Sequence, residues 1–353
     1  MEGVDVAASP QSGRRPLLRR LLSPAAAVTV GAILLITVVT LELVSSRDYI
    51  FLPDKAHPVA PLIKVAGAHD RTGSGGIYFV DVIVRKATLL EQLFGGLHSG
   101  ADLYPANEVV PPGTSSQAEE QVNASEMRTS QLVAAAVALR ALGKKVTTSE
   151  NGALVSQVEP GFPAAHGLHP TDVIVRVDGK PVRSPDDVSR VMAGAPVGTP
   201  FRFTILRSGK RVAVPLTTVA SGPGSKRGVV GVLLEPNESI KLPVRVSIDA
   251  HGVGGPSAGL AFALDVLQEL GRNVDRGHKI AATGEIFLDG RVGPIGGIKQ
   301  KTIGAREAGV DAFLVPAGQN AADARKYAHG LRIIPVKSFQ QALHVLATLP
   351  EQR

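Results

Sequence analysis

The stretch His251–Leu270, HGVGGPSAGLAFALDVLQEL, joins a turn rich in glycine and proline to an almost wholly apolar run long enough for a buried helix. A single serine, Ser257, stands at the junction. Two readings fit it locally. A serine before a helix is a cap, and a serine at a helix N-terminus is also a nucleophile beside free backbone N–H groups. In both, Gly254, Gly255 and Pro256 form the tight turn that presents it.

The 353 residues are 44% hydrophobic and 20% charged, enough for more than one packed domain. Of the formal charge of +7, four positive charges come from Arg14, Arg15, Arg19 and Arg20 in one N-terminal run. The body left over is nearly balanced and has no basic stripe interleaved with aromatics, so no nucleic-acid partner is expected. The chain has no cysteine, hence no disulfide, thiolate metal site or thiol nucleophile. Its nine histidines form no H-E-x-x-H pattern. LGKKVTT and GPGSKRG lack the glycine spacing of a phosphate loop, so no metal, cofactor or nucleotide is expected.

Pro24–Leu41, PAAAVTVGAILLITVVTL, is free of charge and long enough to cross a hydrocarbon core. With the arginines just before it, the positive-inside rule leaves residues 1–22 as a basic cytoplasmic tail. Residues 23–45 are then a single-pass anchor in the cell membrane, with everything beyond them extracytoplasmic. A cleaved signal peptide is the alternative, but its apolar core is shorter and no A-x-A site follows here.

Residues 46–140 read as an N-terminal extracytoplasmic segment of strands and helix. A strand is expected over Ile77–Arg85, a helical turn over Ala87–Leu93, a polar loop at VVPPGTSSQAEEQ, and a helix capped by Ser125 that ends at Gly143. After it come a strand at GALVSQV, a strand entering an Asp-Gly turn at DVIVRVDGKPV, a helix with Ser184 as cap and Pro185 first, and a hairpin at FRFTILRSGKRVAVPLTTV. The run GALVSQVEPGFPAAHGLHPTDVIVRVDGKPV resembles a bacterial PDZ domain, here placed at 141–222. The resemblance implies capture of a peptide C-terminus along a sheet edge, with the carboxylate held in the Ala141–Val146 loop at Leu142, Gly143 and Lys144. Thr171 replaces the glycine usual before the Asp, and Lys144 replaces an apolar loop residue. A scaffold domain that binds no terminus is the other reading.

The opening stretch has a sequel in AATGEIFLDGRVGPIGGIKQK, Ala281–Lys301. G-P-S-A-G around Ser257, T-G-E at Thr283–Glu285 and P-I-G-G-x-K-x-K ending at Lys301 resemble, in order and spacing, the proteolytic domain of Lon proteases. Here that domain is placed at 223–353. The resemblance implies Ser257 as nucleophile, Lys301 as general base, and a supporting role for Thr283 beside the lysine. Lys299 is the rival. On one helix Lys301 shares a face with Ile298, Ala305 and Ala308, whereas Lys299 falls with Gln300, Arg306 and Glu307, so Lys301 is expected to be the buried one. Burial disfavours the ammonium and frees the amine to act as a base. Housekeeping Lon sequences carry an acid three residues before the serine, where this chain has Gly254. Glu285 is a second acid to consider, and His251 with Asp249 or Asp265 would be an alternative triad.

The expected architecture is therefore a multidomain α+β and α/β chain: transmembrane helix, PDZ domain, Lon-type proteolytic domain. The expected function is an ATP-independent serine endopeptidase acting on unfolded proteins or peptides outside the cytoplasm, with a second copy of the chain, as a homo-oligomer, among the expected partners. The alternatives are a PDZ adaptor with an inactive protease fold and a Ser–Lys acyl hydrolase on a non-peptide substrate.

Overall fold

The computed structural model describes residues 24–69, 75–109, 116–250 and 252–351. The arginine-rich tail and His251 lie outside the described residues.

Pro24–Leu43 is one apolar helix with its side chains exposed, and the chain leaves it straight into the strand Ser45–Pro53. That strand pairs antiparallel with Val82–Thr88 on one side and Asp102–Tyr104 on the other.

The main sheet runs His57–Pro58, Gly76–Phe79, Lys279–Ala282, Ala312–Pro316, Arg332–Val336, with the last four strands parallel. Parallel strands need both faces covered, and alternate side chains show how. Ile280, Ala282, Leu314 and Ile334 pack on one face with the helices Ser116–Ala141, Gly259–Glu269 and Phe339–Ala347. Ala281, Phe313 and Val315 pack on the other with Ile298–Glu307 and Gln319–Tyr327. The result is a three-layer α/β/α unit.

The boundaries expected at 140 and 223 cut across this unit. Val59, Ile77 and Phe79 share one core with Met127, Val133 and Ala138 and with residues from Ala250 to Leu349. The N-terminal segment thus supplies a central strand and a covering helix, because an α/β core is completed by whichever strands can be buried, near or far in sequence.

The PDZ sheet is inserted into this unit. Its order is Lys210–Thr217, Pro200–Arg207, Val173–Val177, Thr147–Val158, Val232–Lys241, with Lys180–Pro181 paired to Val173–Val177. Phe203, Ile174, Ile205 and Leu168 fill its core. Two tight turns match their sequence signals: Asp178–Gly179 and Ser208–Gly209 both have positive φ at both residues, as two-residue hairpins require. Thr171 has φ 75°, which explains why the pattern favours glycine there. The strands by which the chain enters and leaves the domain are paired from Val158↔Val232 to Thr147↔Lys241; below Ala153, where Val173–Val177 no longer joins them, the pair from Glu150↔Glu238 to Thr147↔Lys241 forms a two-stranded stalk.

Three local expectations need correction. Ile77–Arg85 is not one strand: Gly76–Phe79 lies in the parallel sheet and Val82–Thr88 in the antiparallel one, the chain changing sheets at Val80–Asp81. A run of alternating or continuous apolar residues carries no mark of such a change. The helical turn expected from Ala87 is Leu89–Leu93, started by a reciprocal cap in which Thr88 Oγ1 accepts from Glu91 N–H and the Glu91 carboxylate accepts from Thr88 N–H. The helix expected to begin at Ser125 begins at Ser116, since its polar Gln-, Ala- and Glu-containing first turns are good helix formers without an apolar stripe.

Candidate functional site

Ser257 lies in a single 3₁₀ turn, Pro256–Ala258, immediately before the helix Gly259–Glu269. Its side chain makes no cap, so the capping reading of this serine fails. The turn is held from three sides. Gly255 sits at φ 79° and its N–H donates to Asn123 O at 3.1 Å. Pro256 O accepts from Ser130 Oγ at 3.1 Å. Ser257 O accepts from Gly284 N–H at 2.8 Å and from Thr283 Oγ1 at 3.1 Å.

Lys301 comes from the second turn of Ile298–Glu307, a helix that starts at Gly297 with φ 67°. A Cβ on Gly297 would meet Val82 Cγ2 at 2.7 Å, so this helix start can approach the Val82–Thr88 strand only as glycine. Lys301 Nζ lies 2.6 Å from Ser257 Oγ and 3.5 Å from Thr283 Oγ1. The lysine is 4% exposed, and burial lowers its pKa from 10.5 to about 8. Asp81 opposes that shift, its negative charge favouring the ammonium.

Lys299 is elsewhere. Its amine pairs with Asp102 at 2.7 Å and donates to Ala101 O at 3.2 Å. The two-faced reading of this helix is right about Lys301 and wrong about Gln300, which is 1% exposed. Gln300 is covered by the N-terminal segment, donating to Gly100 O and Asp102 Oδ2. The helix is packed on both sides because that segment lies over the side the sequence leaves to solvent.

An open cleft surrounds the pair, lined by Phe51, Asp81, Val82, Val84, Asn123, the Gly252–Gly254 turn and Gly296–Gly297. Five of these residues come from before position 124 and were not singled out in the sequence. Asp81 is the notable one. It stands at the sheet-to-sheet crossing, one carboxylate oxygen is buried without a hydrogen-bond partner, and burial with Asp54 nearby raises its pKa. Its negative charge acts on the lysine, in a chain that has Gly254 three residues before the serine. An acidic residue after an apolar strand core, FVDV, was the one available signal.

Glu285 does not line the cleft. It pairs with Gly293, and its pKa is raised by burial and by Glu235 of the strand Val232–Lys241. Asp249 N–H donates to Leu62 O, and Asp265 is fully buried within its helix.

Leu142, Gly143 and Lys144 are not at the PDZ edge. Leu142 packs on the main core, Gly143 has φ 71°, and Lys144 N–H donates to Leu139 O, so together they close the helix Ser116–Ala141. Thr147–Val158 is a single strand that meets the turn leading into the PDZ helix Pro185–Met192 at Gly152, whose N–H donates to Arg183 O. Five residues of strand, about 16 Å, separate that point from Thr147 at the foot of the stalk. The strand next to the loop is also already paired with Val232–Lys241.

Residues 140–218 match the PDZ domain, and residues 231–348 match the Lon protease (S16) C-terminal proteolytic domain. The chain is 42% identical over 86 residues to Lon protease 2 of Thermus thermophilus, covering 24% of this chain and 11% of that protein. It is 35% identical over 119 residues to the Lon protease of Buchnera aphidicola subsp. Schizaphis graminum, covering 33% and 15%. It is 44% identical over 72 residues to the magnetosome formation protease MamE of Magnetospirillum gryphiswaldense, covering 20% and 9%. The chain thus spans between 9% and 15% of the length of these relatives. Two matched modules define the molecule: it carries a PDZ domain and a proteolytic domain of the Lon serine-peptidase type.

Proposed function

We propose that this chain is a membrane-anchored Ser–Lys endopeptidase that cleaves unfolded or loosely structured protein segments outside the cytoplasm without ATP. The observation that carries the reading is the 2.6 Å separation between Ser257 Oγ and a buried Lys301 amine whose pKa is lowered to about 8. Near neutral pH roughly a tenth of such an amine is unprotonated and able to accept the serine proton. The Thr283 hydroxyl proton is taken by Ser257 O, which leaves a lone pair facing Lys301 Nζ. That contact turns the amine toward the serine.

Ser257 Oγ attacks the peptide carbonyl as its proton moves to Lys301. The resulting ammonium then protonates the leaving amine. Water, deprotonated by the neutral amine, hydrolyses the acyl-enzyme. The N–H groups of Gly255, Gly259 and Leu260 are engaged by Asn123 O, Pro256 O and Gly284 O, and those of Ser257 and Ala258, at the head of the helix, are the donors assigned to the oxyanion. Val82–Thr88 is an edge strand of its sheet beside the cleft, so an extended substrate can pair along it. The PDZ domain, supported on its stalk, serves as the substrate-recruiting or gating element. The Pro24–Leu43 helix is the anchor, and the arginines before it set the orientation.

The decisive test is to incubate the full chain, in detergent or nanodiscs, with an unfolded protein and no nucleotide. Cleavage is expected, lost in Ser257→Ala and Lys301→Ala and largely retained in Lys299→Ala. Cleavage that survives Ser257→Ala, or that needs ATP, overturns the reading.

A further inference from the structure

We propose that the turn Leu93–Leu97 is a second membrane contact, seated in the interfacial layer of the bilayer beside the anchor helix. The inference rests on the reading of Pro24–Leu43 as an anchor.

Large apolar side chains at the surface of the described residues cluster near the end of that helix. Leu93, Phe94 and Leu97 are 64%, 58% and 52% exposed, in a sequence, LFGGL, with no charge to keep it in water. They are not distant from the apolar helix. Leu89–Leu93 packs against Pro24–Leu43, Leu89 N–H donates to Val44 O at 2.9 Å, and Thr88 Oγ1 donates to the Glu42 carboxylate at 3.4 Å. Leu43 and Val44, at the helix end, are themselves exposed, so the apolar surface of the helix continues onto the turn.

The turn is also held rigidly. Glu91, 2% exposed, takes hydrogen bonds from Arg85, from Thr88 N–H and from His98, and the Arg85 guanidinium holds its pKa down to about 2. Phe94 N–H donates to Leu90 O and Leu97 N–H to Phe94 O. A charge network of this kind beneath three exposed apolar side chains fixes their direction, whereas a flexible loop would fold them inward. An amphipathic element at the outer end of a spanning helix, apolar side outward, matches a lipid interface.

The contact has a consequence for the cleft. No linker separates Leu43 from the strand Ser45–Pro53, and Phe51 of that strand lines the cleft. Eight residues at ~3.3 Å each put Phe51 no more than about 26 Å from Leu43. With one point of attachment the domain can swivel about the helix end. With two, Ser257 is held at a set height and facing, which selects chain segments lying close to the membrane surface.

The chain has no tryptophan, so a single one is a clean probe. Phe94→Trp, Leu97→Trp, Leu35→Trp in the apolar helix and Val197→Trp on the PDZ domain are each made in the full chain and reconstituted in nanodiscs of phosphatidylcholine and phosphatidylglycerol, with or without brominated acyl chains. Brominated lipid is expected to remove roughly half or more of the emission from positions 35, 94 and 97 and to leave position 197 unchanged. Quenching at 35 but not at 94 or 97 overturns this proposal alone, and a blue-shifted but unquenched probe at 94 assigns the turn to a protein partner or a second copy instead. Absence of quenching at 35 overturns the anchor reading itself.

Discussion

The Ser130 hydroxyl donates to the Pro256 carbonyl at 3.1 Å, joining the helix before the PDZ insertion to the turn that presents Ser257 after it. The two residues are 126 positions apart. Ser130 is buried, so removing its hydroxyl leaves the Pro256 carbonyl with the Gly259 N–H as its remaining donor and loosens the tie between the turn and the helix Ser116–Ala141. Ser130→Ala is expected to lower kcat about tenfold or more, with KM little changed, because sub-ångström placement of Oγ against Nζ is what it supports. Steady-state kinetics on a short peptide check this; an unchanged kcat means the turn is fixed without it.

With the Lys301 pKa lowered to about 8, the neutral base becomes scarcer as pH falls. The rate with a short peptide is expected to rise close to tenfold per pH unit below that value and to level off above it. A profile already flat from pH 6 upward contradicts the lysine as base.

Asp81 favours the ammonium form of Lys301. In Asp81→Asn the rising limb of the pH profile is therefore expected to move to lower pH. A residue that served the fold alone would change thermal stability and leave the limb in place, so the profile and a melting curve together separate the two roles.

A buried lysine whose pKa falls from 10.5 to about 8 stabilises the folded state less when protonation is required of it. Below about pH 8 the folded chain carries the cost in full, and the cost declines as pH rises toward 10.5, where both states are neutral. Lys301→Met is expected to abolish cleavage while stabilising the fold by about 1–3 kcal/mol at pH 7. Denaturant melts at pH 7 and pH 10 check both the sign and the narrowing of the difference.

Thr171 holds a left-handed backbone conformation that costs a β-branched residue roughly 1 kcal/mol. Thr171→Gly is expected to raise the melting temperature of the PDZ domain by a few degrees without altering peptide cleavage. A lower melting temperature indicates that the entropy lost by glycine outweighs the relief of strain.

The sequence by itself determined the parts whose chemistry is local. Ser257 and Lys301 stand in short motifs where glycines set the turns; the resemblance to the Lon proteolytic domain implied their pairing and the helix face favoured Lys301 over Lys299, while the 2.6 Å contact itself is made by the fold. The apolar helix and the two positive-φ hairpin turns are likewise short-range consequences of side-chain type. Tertiary structure decided what depends on residues far apart. Only the fold puts Gly76–Phe79 in the middle of a parallel sheet, brings Asp81 to Lys301, and covers Gln300 with the strand bearing Asp102. Only the fold pairs Val232–Lys241 with Thr147–Val158, so that the residues expected to hold a peptide carboxylate close a helix at the foot of a stalk. The reason is physical: a turn or a helix cap is satisfied by neighbours a few positions away. A strand edge or a buried face is satisfied by whichever segment the whole chain can bring to it.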